Sequence, residues 1–506
     1  MKPCLRFVWP LVVMGFIATC CCFEGARAED RPQWGQRHSR NMVSNETNLP
    51  ETFDLKTGEN VKWSAPLGGN AYGSPVIASG SVLIGANNSL PRDPRNRGDR
   101  GVLLCLNEAD GTLRWQLAVP RLVDPESSNR DWPMIGICSP PTVEGNRVYA
   151  VTNRFEVVCL DLNGQADGND GPYQDEGRHM APSGTPPLEV TAMDADIIWI
   201  FDMPGEIGTY THDSAHSSIL LDGPYLYINT CNCVDDTHQV IRRPEAPSLI
   251  VLDKATGKLV AKDGERIGPR IFHSTWSSPA LGEVADKRLV FFGGGDGICY
   301  AFEALKPSAP LGPVATLKRV WRFDSDPTAP KENVHDYWKN RVEGPSTIMG
   351  MPVFHDNRVY VTVGGGMFWG KEKVWLKCID ATLSGDITGS GELWSYPLEM
   401  HSCSTPSISK GLLFVADTAG KIHCIDAGTG QGYWTHDLGR EVWGSTLVAD
   451  GKVYVGTMRG DFWIFAAEKD KRVLASVRFD DPIASTPVAA NGVLYVATLK
   501  QLYALK

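Results

Sequence analysis

Short apolar runs rich in β-branched and aromatic residues recur along almost the whole chain, broken by glycine, proline and aspartate. Runs of this length bounded by turn residues read as β-strands rather than helices. They group into a repeating unit. The unit opens on small residues and proline, as in Gly73-Ser74-Pro75-Val76, and continues into a strand such as Arg147-Val148-Tyr149-Ala150-Val151. A third strand ends near Cys-Leu-Asp or Cys-Ile-Asp, a glycine turn follows, and the fourth strand often holds tryptophan. Four short antiparallel strands per unit is the composition of one propeller blade.

Aligned on the residue three before the proline-like position, the units give Tyr72, Cys138, His216, Trp276, Met349, Cys403, Trp443 and Ala484, spaced by 66, 78, 60, 73, 54, 40 and 41 residues. The shortest spacings match a bare four-stranded blade, and the longer ones carry loop insertions. The fourth strands, counted independently, centre on Trp63, Trp115, Trp199, Ala261, Trp321, Trp394, Trp434 and Ala475. They are offset: Trp63 precedes the first complete unit, while the chain stops after a third strand, Gln501-Leu502-Tyr503-Ala504-Leu505. Joining residues 60–67 to that strand closes the ring and leaves no open sheet edge. The expected fold is therefore an all-β, eight-bladed β-propeller of four-stranded antiparallel blades, closed by an N-terminal outer strand. The fourth-strand tryptophans are expected to pack over the neighbouring blade with the indole N–H on a backbone carbonyl.

Composition adds the compartment. Lys2 and Arg6, an apolar run from Phe7 to Phe23, and Ala26-Arg27-Ala28 form a secretory signal. Residues 1–28 are thus a signal peptide, 29–59 a leader and 60–506 the propeller domain. Ile17-Ala18-Thr19-Cys20 offers a lipoprotein alternative with Cys20 as the attachment point, although Thr19 suits it poorly. No later segment is long and apolar enough to span a bilayer. The chain carries 49 Lys+Arg against 59 Asp+Glu; loss of Lys2, Arg6, Arg27 and Glu24 leaves 46 against 58, a net −12. That balance argues against nucleic acid and anionic membranes as partners, and serves solubility. Localisation is expected in the periplasm or cell envelope.

The segments Asn107-Glu108-Ala109-Asp110-Gly111-Thr112-Leu113-Arg114-Trp115 and Ile425-Asp426-Ala427-Gly428-Thr429-Gly430-Gln431-Gly432-Tyr433-Trp434 resemble the pyrroloquinoline-quinone (PQQ) repeat with its Ala-x-x-Gly-x-x-x-Trp motif. Leu252-Asp253-Lys254-Ala255-Thr256-Gly257 matches the first half, and Pro32-Gln33-Trp34-Gly35-Gln36 is similar to the leader of exported bacterial PQQ-like propellers. The resemblance covers nearly all of residues 60–506. It implies the fold, and two kinds of protein that share it: non-enzymatic envelope scaffolds, including the lipoprotein of the outer-membrane β-barrel assembly machinery, and quinoprotein alcohol dehydrogenase-like enzymes. The enzymes carry two adjacent cysteines against the cofactor and hold calcium with Glu, Asn and Asp. Here adjacent cysteines occur only in the signal segment, at Cys20, Cys21 and Cys22.

Candidate chemistry sits where the inner strands begin, because propeller ligands bind on the axis. Tyr72, His216, Trp276 and Trp443 are the candidate lining of a funnel for a small molecule or peptide. Cys138, Cys403, Asp131, His212, Asp213, His273, His335, His401 and Glu441 fall on the same face. A metal there is not favoured, since the ligands come from separate blades without a compact motif. The loop from Asp161 to Gly171 alternates oxygen side chains with glycine, and Asp161, Asn163, Asp167 and Asn169 are candidate calcium ligands; the alternative is a polar turn. The third-strand cysteines Cys105, Cys159, Cys299, Cys378 and Cys424 read as small buried hydrophobes. Cys231-Asn232-Cys233 reads as a local disulfide, a reactive pair, or exposed thiols. Gly293–Gly297 and Gly364–Gly366 read as turns needing positive φ. The leading expectation is a non-catalytic envelope propeller binding a protein, peptide or glycan through funnel and loops, without a cofactor. The alternatives are a PQQ-dependent dehydrogenase of alcohols or sugars, using PQQ and calcium, and a structural partner with no axial ligand.

Overall fold

The computed structural model describes residue 1 and residues 29–124, 127, 130–307 and 312–506. The signal segment at 2–28 and the attachment point Cys20 lie outside the described residues. Those described fold into eight antiparallel blades. Blade 1 spans residues 76–120, blade 2 142–202, blade 3 220–262, blade 4 280–324, blade 5 353–398, blade 6 407–437, blade 7 447–478 and blade 8 488–505. Blade 8 takes its fourth strand from Val61–Pro66, which pairs antiparallel with Gln501–Leu505 through Trp63↔Ala504 and Ala65↔Leu502. The ring closes as the strand offset requires.

No blade buries both faces by itself. Each of the eight apolar clusters is shared by two neighbours, one cluster per seam. The tryptophans fasten these seams. The indole N–H groups of Trp63, Trp115, Trp199, Trp321, Trp394 and Trp434 donate to the carbonyls of Glu108, Leu162, Lys254, Ala381, Ala427 and Glu468 in the next blade, at 2.8–3.2 Å. The motif glycine is the other half of the clasp. A Cβ on Gly111, Gly257 or Gly430 would come within 2.6–2.7 Å of the ring of Trp63, Trp199 or Trp394, and all three have φ between 70° and 76°. The repeated glycine and tryptophan are therefore one device, split between two blades.

Around the axis the small residues that open each unit form a hydroxyl belt. Ser74 Oγ accepts from Thr486 N–H, Thr486 Oγ1 from Ser445 N–H, Ser445 Oγ from Thr405 N–H, and Thr405 Oγ1 from Met351 N–H. On the outside, loop insertions reach back to the preceding blade. Ala315–Thr316 adds a parallel fifth strand to blade 3, and Gly385–Asp386 does the same for blade 4. These cover outer edges that would otherwise present unpaired backbone groups.

The leader closes one end of the axis. It visits the inner strands in turn: Arg31 pairs with Ile77, Pro32 O accepts from Val143 N–H, His38 O from Leu281 N–H, and Ser39 O from Phe354 N–H. Asn41 brackets Ile408, Val43 bridges Val448, and Ser44 Oγ donates to Ala489 O. Arg40 supplies the blade 3 contact, donating to Ser218 O at 3.1 Å as well as to Pro279 O and Trp34 O, both at 2.9 Å. Its guanidinium is fully buried, and burial pulls it down to about 9. All eight blades thus touch one segment of the leader.

The triple-glycine stretches owe their composition mainly to close approach. Only Gly297 among residues 293–297 and 364–366 has positive φ, whereas a Cβ on Gly295 would meet Ser274 O at 2.5 Å and one on Gly365 would collide with the Lys371 backbone. The positive-φ expectation fails for the rest.

Candidate functional site

The leader contacts fall five residues after the aligned positions in seven blades (72 to 77, 138 to 143, 276 to 281, 349 to 354, 403 to 408, 443 to 448, 484 to 489). At about 3.3 Å per residue this separates the two levels by roughly 16 Å along the strands. The aligned residues therefore face the end of the axis that the leader does not fill. There Tyr72 stacks on Trp443 with ring centroids 6.3 Å apart, and His216 packs edge-on against Trp276 at 5.1 Å. The four funnel candidates come together as these two pairs. Burial pushes His216 down to about 4. On another sector His401 Nε2 approaches Met349 Sδ at 2.9 Å and Cys403 Sγ at 3.6 Å.

The densest cluster of chemical groups lies beside His216 and Trp276, and three backbone segments build it. Residues 209–213 lead into blade 3, residues 230–248 are an insertion within blade 3, and residues 271–276 lead into blade 4. The insertion is laced to both flanks: Cys233 N–H donates to Tyr210 O and Val234 N–H to His273 O, each at 3.0 Å. Its tip is a locked turn. Asp235 Oδ1 accepts from Thr237 N–H at 3.1 Å, Asp235 Oδ2 accepts from Arg242 Nε at 2.7 Å, and His238 N–H returns to Asp235 O at 2.9 Å. His238 is held at φ 58 and Asp213 at φ 64, a region that side-chain-bearing residues rarely occupy.

This lacing brings His212, His238 and His273 together, with one ligand nitrogen from each lying within 4.8 Å of the others. His212 Nε2 is 3.1 Å from His238 Nε2. The His212 ring stands perpendicular to the other two, which stack on each other at 5.1 Å. Burial, then His238, pushes His212 down to about 4; burial, then His212, His238 and His335, pushes His273 down to about 3. Asp213, 3.4 Å from His212 Nε2, is pushed up to about 7 by burial and by Asp236.

Aromatic residues from two further insertions flank the histidines. Trp369 lies 5.9 Å from His238 and 4.5 Å from Trp338, and Phe368 stands outside it at 6.5 Å. Lys339 sits over the Trp338 ring at 4.6 Å. Lys371, buried between these loops, pairs with Asp326 at 2.7 Å and ties residues 365–373 to the segment before blade 5. His238, Trp338, Phe368 and Trp369 fall at no repeat position, so the repeat does not mark them. The available signal was tryptophan outside the fourth-strand register.

The calcium candidates are engaged with the protein. Asp161 is buried against Arg147 and accepts from Asn163 N–H at 2.8 Å. Asn163 donates to Asp167 at 2.9 Å, and Asn169 to Glu176 at 2.8 Å. A guanidinium on Asp161 and amide N–H groups turned toward the carboxylates suit a polar turn. Cys231 and Cys233 are both fully buried and free, which corrects the disulfide and exposed-thiol readings; burial pushes Cys231 up to about 11 and Cys233 well above the usual thiol range. The five third-strand cysteines are buried and free.

A family model described as outer membrane protein assembly factor BamB matches residues 39–185 and 318–473. No curated protein matches the chain in sequence. Among solved structures, BamB from Moraxella catarrhalis is similar with a TM-score of 0.50 and 13% identity, over 88% of this chain and 96% of that one. A europium-containing methanol dehydrogenase is similar with a TM-score of 0.58 and 12% identity, over 93% and 89%. The quinohemoprotein alcohol dehydrogenase of Comamonas testosteroni gives 0.58 and 13%, over 95% and 81%. At these identities the likeness concerns the fold. Among the described residues, no helix is long and apolar enough to cross a membrane.

Proposed function

The chain belongs to the PQQ-repeat propeller family described as outer membrane protein assembly factor BamB, and on that premise we propose that it is an exported, non-catalytic envelope scaffold that docks a protein or peptide on the rim of its open mouth. One observation carries the reading. The insertions before and within blade 5 hold large apolar side chains out in solvent: Phe368 is 71% exposed, Val342 80% and Tyr337 38%, beside Trp338, Trp369 and Lys339. Aromatic residues grouped on a rim beside a cation are the composition of interface hot spots, and a soluble protein seldom leaves such a patch bare. Aliphatic Val342 in the patch favours a polypeptide over a glycan.

The donor set also supports a non-catalytic reading. PQQ enzymes place adjacent cysteines and an oxygen-ligated calcium at the cofactor. Here the cysteines after residue 28 are nowhere adjacent, and the densest donor cluster at the mouth is three imidazoles with Asp213 beside them. A nitrogen-rich donor set of this kind suits calcium, and PQQ held through it, poorly.

Two measurements test the proposal. Crosslinking in an envelope extract is expected to capture defined partners, and Phe368→Ser combined with Trp338→Ala should reduce capture at least tenfold with thermal unfolding unchanged. Undiminished capture by the variant sinks the rim as the docking surface. Titration with PQQ, followed by tryptophan fluorescence with and without calcium, should show no saturable quenching. Calcium-dependent quenching at one equivalent brings the dehydrogenase reading to the front instead.

A further inference from the structure

We infer that His212, His238 and His273 form a three-imidazole binding site for a late first-row divalent cation, of which zinc is the reference case. The geometry is close to that of a bound ion. Zinc–nitrogen bonds of about 2.0–2.1 Å place tetrahedral ligand atoms about 3.4 Å apart. His212 Nε2 and His238 Nε2 are already 3.1 Å apart, and all three nitrogens lie within 4.8 Å. Small side-chain rotations would complete the site.

The surroundings are built for ligation. Two backbone hydrogen bonds fasten the insertion to the segments carrying the other histidines, and the Asp235 turn fixes His238 in a left-handed conformation. His212 has no exposed side-chain surface, and its Nδ1 lacks a hydrogen-bond partner. A buried unpaired ring nitrogen is costly. Asp236 Oδ1 stands 3.9 Å from that nitrogen and is held by Ser127 Oγ at 2.7 Å. Once Nε2 ligates, the proton must sit on Nδ1, and a small closure gives the carboxylate–histidine–metal relay that orients ligating histidines. Asp213 Oδ1, 3.4 Å from His212 Nε2, is placed to supply the fourth ligand. Nitrogen donors select zinc, copper or nickel over calcium and magnesium, which take oxygen.

The site joins the approaches to blades 3 and 4 through the blade 3 insertion, so an ion there would fix the wall against which Trp369 rests. The inference is independent of the docking proposal, because metal can bind whether or not a partner does.

The test uses tag-free protein stripped with a chelator. Titration with zinc chloride is expected to show one equivalent bound at micromolar or tighter affinity, and cobalt chloride to give the visible bands of a four-coordinate ion. His238→Ala and His273→Ala should each weaken zinc binding about 100-fold or more and abolish the cobalt bands. Asp236→Asn should weaken it about 10- to 100-fold. Metal-free thermal unfolding of the His238 variant should match the parent, since the residue sits on an insertion tip; if that variant misfolds, His238→Gln takes its place. Absence of stoichiometric binding at high-micromolar zinc overturns the inference. So does unchanged affinity in the histidine variants, which would mark an adventitious surface ion.

Discussion

Replacing Trp63 by alanine tests the closure of the ring at the one seam where the two ends of the chain meet. Trp63 is almost fully buried. Its ring lies on Gly111, its N–H reaches Glu108 O at 3.0 Å, and Tyr495 packs 6.0 Å away. The cluster it belongs to joins blade 8 to blade 1. Truncating a buried tryptophan costs about 3–5 kcal/mol, including about 1 kcal/mol for the hydrogen bond. Water reaches the freed Glu108 carbonyl more readily at this outer edge than in a core, so about 3 kcal/mol is the expected figure. That is a large share of the 5–15 kcal/mol that ordinarily holds a fold together. Urea unfolding of the parent and Trp63→Ala gives the difference. Trp443→Ala is the control: that indole is 40% exposed and should cost under about 1 kcal/mol. Deletion of residues 60–67 is expected to be more severe than either, because it opens the ladder to Gln501–Leu505. If Trp63→Ala costs no more than Trp443→Ala, or if the deletion leaves thermal unfolding unchanged, closure does not stabilise the ring and the argument fails.

Four further outcomes are expected. Gly257→Ala should cost at least about 2 kcal/mol, since it combines φ +70 with a Cβ 2.6 Å from Trp199; Gly145→Ala, at φ +59 in open space, should cost only about 1, and equal costs would refute the clasp. Lys371→Met leaves Asp326 buried without its cation and should cost about 3–5 kcal/mol, with faster hydrogen exchange across residues 365–373; unaltered exchange there would separate the pair from the rim. Burial pushes Asp131 up to about 7, despite hydrogen bonds from Asn153 and the Leu122 N–H. The folded state therefore keeps a proton that the unfolded chain releases from about pH 3.8, and this contribution is complete below that pH and lost as pH rises through 7. Asp131→Asn should remove up to about 4 kcal/mol of that decline between pH 4 and 8, and parallel pH profiles of parent and variant would contradict it. Millimolar calcium should leave protease cleavage of the loop at 161–171 unchanged, because Arg147 already neutralises Asp161; strong protection would restore the calcium reading.

Periodic physics made the blades legible. Each blade repeats the same burial problem, so the same small residues, cysteines, glycines and tryptophans return at the same places, and the unmatched Trp63 strand announced the closure. Two of the three histidines of the site were on view: His212 and His273 belong to the approaches that the alignment marks. His238 was hidden because an insertion has no register, and only the hydrogen bonds of Cys233 and Val234 decide where its tip lands. The added strands Ala315–Thr316 and Gly385–Asp386 were equally hidden, being two residues long and exposed, without an alternating pattern. The leader's path depends on contacts with eight separate blades, none of which its own sequence encodes. Arg40 is the extreme case, a charged residue that composition assigns to the surface and that packing places on the axis.

Residues 31–44 bond to every blade, so the leader works as the hub of a wheel. A blade that shifts must pull on seven others through one short peptide, and loosening at any seam is therefore felt around the whole ring.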